Sequence, residues 1–565
     1  MQHYNFNIMN RRSFLSTTSK AGILAALASV TNIPGVLKQA LAEGTIGTGK
    51  KVLFIWLRFG NDSLNSIAPV LDGSYAGSRP TLALPLDAGT VYTTAGGCDF
   101  PTSGAGSTYG AYPFAIRTGN TFAALHPSLK FLAPVYNAGE LSLIHRVAYP
   151  KQSRSHFDSQ IYWENGNPNN GLVKDGIFYR TLIESGLDNI GSRGVTIQSS
   201  LPLLMRGSDA AMTNLTDPLR YNLLGIPSGN PTGVGDPKAD SAIANGNTYG
   251  FAPKMNRDML FHQYDNLQAT LNAFASINFT EAGNTYQDDE LTDADTSWVP
   301  IDGNGASIGT AGNGYFLFPT NDDKNGGWRR PDKSANGNKF AVNRNHEGFF
   351  YNLKAAALVL NHTDAVIAGT EVGGFDTHQK QGQLTGTHPD LQRVIGWALY
   401  GLRKYFKIYG RNGTSPSPNA KTSWDDVVVV TLSEFGRTTI ENGDNGTDHA
   451  EAGAMFVAGG TVKGYGRHAS GSGVLNCNPT EPGIAAALQW ATGATGSMFG
   501  ASSRYLSRNT DFRSVLGEVI RKHLGATQAQ LNRIIPGYAV AGENLLNGGT
   551  SSVDGKAIRG EVGIL

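Results

Sequence analysis

Carboxylates, imidazoles and hydroxyls gather in a few short stretches of this chain, each placed just after an apolar run. Asp62 stands in "GNDSLN", and Arg154, Ser155 and His156 stand in "SRSHFDSQ". Asp376 and His378 share "GGFDTH"; Glu434 opens, and Asp448 and His449 close, the stretch "EFGRTTIENGDNGTDH". Carboxylate oxygen and imidazole nitrogen are the donors that hard and borderline divalent metals take, and flanking glycines let the backbone turn sharply around such a centre. The expected ion is divalent, zinc first and manganese or calcium after it, with the choice between one ion and two left open. Only two cysteines occur, Cys98 and Cys477, too few for a zinc-thiolate site. An oxidising compartment permits a disulfide between them.

Each signal has an ordinary structural alternative. Asp62 and Ser155 both suit a helix N-cap. Asp376-Thr377-His378 also reads as a turn carrying a surface histidine. Glu434 follows a valine run, where a buried carboxylate costs several kcal/mol unless it is paired or metal-bound (~2–7 kcal/mol for an uncompensated polar group), and Arg437 offers a salt bridge instead. Asp448 is either a ligand beside His449 or the group that orients its ring.

The elements that must position these residues read as an α/β fold. Lys51–Leu57 and Val427–Leu432 are near-continuous apolar runs of the kind found in buried parallel strands. Residues 140–144, 365–368 and 454–458 read as further strands. Helical spacing covers 125–137, 349–360, 389–409 and 512–524, and the first of these forms a βαβ unit with the strands on either side. Residues 207–345, rich in glycine, asparagine and aspartate, read as a loop-rich insertion with one helix near 264–277. Because catalytic groups in open α/β sheets stand at the carboxyl ends of parallel strands, these motifs are expected to meet at one sheet edge.

The charge balance, 46 basic against 45 acidic residues, gives no electrostatic footprint for nucleic acid or an anionic membrane surface. No run after residue 45 is apolar enough to span a bilayer, so no stable membrane span is expected. The low charged fraction of 16% and the 71 glycines suit a loop-rich secreted protein. Asn10-Arg11-Arg12-Ser13-Phe14-Leu15, the apolar run 21–30 and Ala40-Leu41-Ala42 read in order as a twin-arginine signal with its cleavage site. The expectation is a signal peptide over 1–42, passage through the twin-arginine translocase, and one domain over 43–565 in the periplasm or outside the cell.

Taken together and in this order, "RRSFL", "LRFGNDSLNS", "SRSHFDSQ", "GGFDTHQKQ", "VVVVTLSEFGRT" and "GTDHAEAGAMFVAGG" resemble the bacterial family of twin-arginine-exported proteins called domain of unknown function 1501. The resemblance covers most of the chain after the signal. It implies the alkaline phosphatase and sulfatase superfamily, hence an alkaline phosphatase-like three-layer sandwich with a metal centre at the carboxyl edge of a mostly parallel sheet. By that resemblance Asp62, Asp376, His378, Glu434 and His449 are metal ligands, and Ser155 stands where a hydroxyl nucleophile lies. Two departures stand out: Phe435 follows Glu434 where an Asp-His dipeptide is usual, and the Asp376–His378 pair is closer than usual.

The expected activity is metal-assisted hydrolysis of a phosphate or sulfate ester of a small molecule or glycan. In it Ser155 attacks, His156 stabilises or ligates, and Arg154 and Arg58 either clamp the anion or pair at the surface. The alternative is a catalytically degenerate binding or scaffold protein of the same fold with a structural ion.

Overall fold

A computed structural model describes residues 46–94, 96–98, 114–187, 190–210, 212–217, 274, 277, 317–318, 344–481, 504–539 and 543–565. The segment 1–42 read as a signal and nearly all of the stretch 207–345 read as an insertion, with most of the helix expected near 264–277, lie outside the described residues.

The centre is an 11-stranded sheet. Its strands in chain order are β1 (Lys51–Leu57), β2 (Leu141–Ala148), β3 (Gly194–Ile197), β4 (Thr213–Leu215), β5 (Ile367–Val372), β6 (Val427–Leu432), β7 (Gly453–Gly459), β8 (Val474–Leu475), β9 (Thr510–Asp511), β10 (Gly548–Thr550) and β11 (Ala557–Arg559). Across the sheet the order is β10-β11-β9-β2-β7-β6-β1-β5-β3-β4, with β8 also on β2. Strands β6, β1, β5, β3 and β4 pair in parallel, whereas β7 runs antiparallel to both β6 and β2. The fold is therefore mixed α/β with a mostly parallel central sheet.

Every residue of β1 and β6 is buried, which is why both read as unbroken apolar runs. Alternate side chains of β1 enter two separate cores. Leu53, Ile55 and Leu57 pack with helices α3 (Glu347–His362) and α4 (Thr387–Tyr409). Val52, Phe54 and Trp56 pack with α2 (Ile177–Glu184), α5 (Phe512–Glu518) and α6 (Gln528–Ile534). Helices thus cover both faces. Burying each such side chain is worth about 1.5–3 kcal/mol.

Three local expectations change. Strands β1 and β2 are not neighbours, since β6 and β7 lie between them. The 125–137 region is a 3-10 turn, Pro127–Leu132, followed by the short helix Ala133–Asn137, each beginning with a proline at its first or second position. The helix from Phe512 turns π-helical over Val519–His523. Cys98 and Cys477 are buried and no disulfide joins them. Among the described residues no helix is long and apolar enough to cross a membrane.

Candidate metal centre

Strands β1, β2, β5 and β6 share one direction, so their carboxyl ends lie on one edge, and antiparallel β7 begins at that edge. The loops after β2, β5 and β6 carry His156, Asp376 with His378, and Glu434; the loop entering β7 carries His449. His156 is the first residue of α1 (His156–Asn165), capped by Ser155. Two glycines permit the close packing of these loops. A Cβ on Gly436 would lie 2.1 Å from the Ala452 carbonyl oxygen, and one on Gly446 would lie 2.2 Å from that of His378. Arg437 and His449 consequently form an antiparallel bridge.

Oδ1 of Asp376 is the hub. It lies 3.0 Å from Nε2 of His378, 3.1 Å from Nε2 of His449 and 3.5 Å from Nε2 of His156. Nε2 of His378 and of His449 are 2.9 Å apart. One donor atom each from His156, Asp376 and His449 falls within 4.8 Å of the others, a spacing suited to a single ion.

The opposite ring nitrogens decide the tautomers. Nδ1 of His156 faces Glu434 Oε1 at 2.8 Å, that of His378 faces Asp448 Oδ1 at 3.1 Å, and that of His449 faces the Arg154 carbonyl at 2.9 Å. A carbonyl or carboxylate oxygen only accepts, so each Nδ1 donates its proton, and Nε2 donates to Asp376 where it is protonated or offers its lone pair to an ion where it is not. The three Nε2 atoms converge on a carboxylate oxygen. Nε2 of His156 is buried and has no hydrogen-bond partner among the described residues. A divalent ion would take Asp376 together with unprotonated Nε2 atoms of His156 and His449 as ligands.

Charge tuning agrees with this arrangement. Burial pushes the Asp376 carboxyl up, but the hydrogen bond from Arg437 overrides it and holds the group at about 2. Burial lowers His449 from its ordinary value, with Asp376 opposing, which favours the neutral ring, the form able to ligate a metal.

Asp62 is not brought into this cluster. It is fully buried and held bidentately by Arg79, at 2.6 and 3.0 Å, while Gln381 Nε2 donates to it at 2.6 Å. Gln381 Oε1 in turn accepts from the hydroxyls of Thr377 and Thr447 at 2.9 and 2.7 Å. Asp62 therefore fixes the two loops that present Asp376, His378 and His449. Glu434 is also removed from the ligand position: its Oε1 accepts from His156, from Gln160 at 2.9 Å and from the Phe59 amide at 2.8 Å. Those bonds outweigh burial and lower its pKa. Asp448 orients His378, not the adjoining His449, and is paired with Arg504.

Ser155 Oγ accepts from the Asp158 amide at 3.4 Å, an N-cap position. Arg58 is taken by Glu164 and Glu371 at 2.9 and 2.8 Å, which removes it as an anion clamp. Arg154 remains exposed and lies 4.1 Å over the Tyr505 ring. Arg437 pairs with Asp376 at 2.7 Å, not with Glu434. Sequence reasoning missed the roles of Arg79, Gln160 and Gln381. The signal for Gln160 was its helical spacing from His156, one turn away on the same face.

Residues 336–475 match the family model described as Protein of unknown function (DUF1501). That match supports the family read from the motifs. It takes in Asp376, His378, Glu434, Asp448 and His449, and leaves Asp62 and the Arg154–His156 motif outside. No curated protein and no solved structure matches the chain.

Proposed function

We propose that this protein is an exported, metal-dependent hydrolase of phosphate or sulfate esters built on an alkaline phosphatase-like sandwich. The observation that supports this reading best is the convergence of three imidazole Nε2 atoms on Asp376 Oδ1, each ring pinned through Nδ1. His156, Asp376 and His449 would hold the ion and His378 stands beside them; the nitrogen-rich set suits zinc. A bound divalent ion supplies Lewis acidity, neutralising charge on the substrate and acidifying water.

The chain's own residues do the rest. Glu434, Asp448 and the Arg154 carbonyl orient the rings, and Arg437 keeps Asp376 ionised. Arg154, exposed at the rim, is placed to meet an anionic group from solvent. The centre is open: the side chains of Asp376, His378 and His449 are 40%, 39% and 27% exposed. Catalytic zinc sites keep such an open position, whereas structural sites are closed.

A degenerate scaffold with a structural ion is the second reading, favoured by the use of Ser155 as a helix cap and of Arg58 in ion pairs. Elemental analysis of the purified protein beside His449→Ala tests the centre. Stoichiometric zinc or manganese lost in the variant, with turnover of nitrophenyl phosphate or sulfate, supports the hydrolase. Metal without turnover of any ester in a broad screen supports the scaffold, and absence of metal sinks both.

A further inference from the structure

Phe59 follows β1 with φ of +81° and is 41% exposed. A bulky residue in the left-handed region is strained, and such strain persists only where the surroundings over-determine it. Here they do. The Phe59 amide donates to Glu434 Oε1 at 2.8 Å, and its carbonyl accepts from Arg437 Nη2 at 2.6 Å. These are the same two groups that hold His156 and Asp376. Glycine would adopt this backbone without strain, and Phe59 belongs to neither buried core, so the backbone does not call for an aromatic side chain at this point.

The ring's location does. It stands edge-on to His156, with centroids 5.3 Å apart and planes at 83°. Helix α1, which begins with His156, also exposes Phe157 and Ile161, 83% and 37% accessible and one turn apart. The Phe59 ring thus adjoins the imidazole whose buried Nε2 makes no hydrogen bond and faces Asp376 Oδ1 at 3.5 Å.

We propose that Phe59 is a specificity-determining residue that receives an aromatic or bulky apolar group adjoining the substrate's anionic head, so that the preferred esters are aryl or apolar ones and not polar sugar esters. This rests on the metal-centre reading above. A substrate held at the metal through its anion would bring its neighbouring substituent against the free part of the Phe59 ring, where aromatic contact adds to simple burial.

The test uses the full chain loaded with cobalt(II), whose visible absorption reports both loading and ligand binding, titrated with the inert anions phenylphosphonate and methylphosphonate. The expected result is phenylphosphonate binding about tenfold tighter, the ratio that one good aromatic contact supports. In Phe59→Ala and Phe59→Gly that ratio collapses towards one while cobalt loading and methylphosphonate affinity stay unchanged; Phe59→Tyr restores it. Phe59→Gly relieves the backbone strain and so guards against a variant that fails to fold. A wild-type ratio near one, or a ratio that survives both substitutions, overturns the proposal and leaves the metal centre standing. Loss of cobalt in the variants also overturns it, because the ring would then be shielding His156. Failure of the wild-type protein to take up cobalt refutes the metal-centre reading itself.

Discussion

Oε1 of Glu434 lies 2.8 Å from Nδ1 of His156 and accepts its proton in a hydrogen bond, while Oε2 of the same buried carboxylate has no hydrogen-bond partner among the described residues. In the proposed metal centre the carboxylate acts through the ring it orients. Glu434→Gln keeps an acceptor for His156 but removes the negative charge that makes the imidazole a better ligand. Loss of such a group costs about 10–100-fold in metal affinity. Competition with a chromophoric chelator is expected to show a fall within that range, with the metal stoichiometry preserved. No change in affinity would mean that Glu434 is only a packing element.

Asp62→Asn separates orientation from ligation. The substitution leaves Arg79 buried without its counter-charge, and breaking one side of a buried pair costs about 3–5 kcal/mol. Thermal unfolding should shift down markedly. The purified variant is nevertheless expected to retain its metal, whereas Asp376→Asn loses it. Loss of metal from a folded Asp62→Asn protein would show that the charge on Asp62 is needed at the centre, as a ligand or through the loops it fixes.

Ser155→Ala removes the helix cap. The cap bond is long at 3.4 Å, so the loss belongs at the low end of the usual range, about 0.5–1 kcal/mol. Urea denaturation measures it. If nitrophenyl ester turnover is present in the wild type, the variant should keep it; abolition of turnover in a stable variant would make Ser155 the nucleophile.

Stability should fall in mild acid. Burial lowers His145, His388 and His523 to about 4 and His126 to about 3. Unfolding frees these rings to take protons at their ordinary value near 6.5. Between about 6.5 and 4 the unfolded chain therefore binds protons that the native one does not. Their contribution to stability is complete above that window and is lost as pH falls through it, each group adding a slope of up to about 1.4 kcal/mol per pH unit. Chemical denaturation at pH 7.5, 6 and 5 checks this: equal midpoints would show that the rings are already protonated in the native state.

The sequence by itself determined the strands Lys51–Leu57 and Val427–Leu432, the long helix ending at Tyr409, and the gathering of His156, Asp376, His378 and His449 near one sheet edge. Complete burial leaves an apolar run that periodicity detects, and strand ends in an open α/β sheet are where polar residues collect. Strand direction was not determined that way. A fully buried strand has the same composition whichever way it runs, so only the assembled sheet shows that β7 is antiparallel and returns His449 to the edge. The roles of the carboxylates were likewise decided in three dimensions. Asp62 meets Arg79 across a turn that carries no spacing rule, and Glu434 meets His156 from 278 residues away. Whether a carboxylate holds an ion, an arginine or a histidine depends on which atom faces its oxygens, and tertiary packing alone sets that.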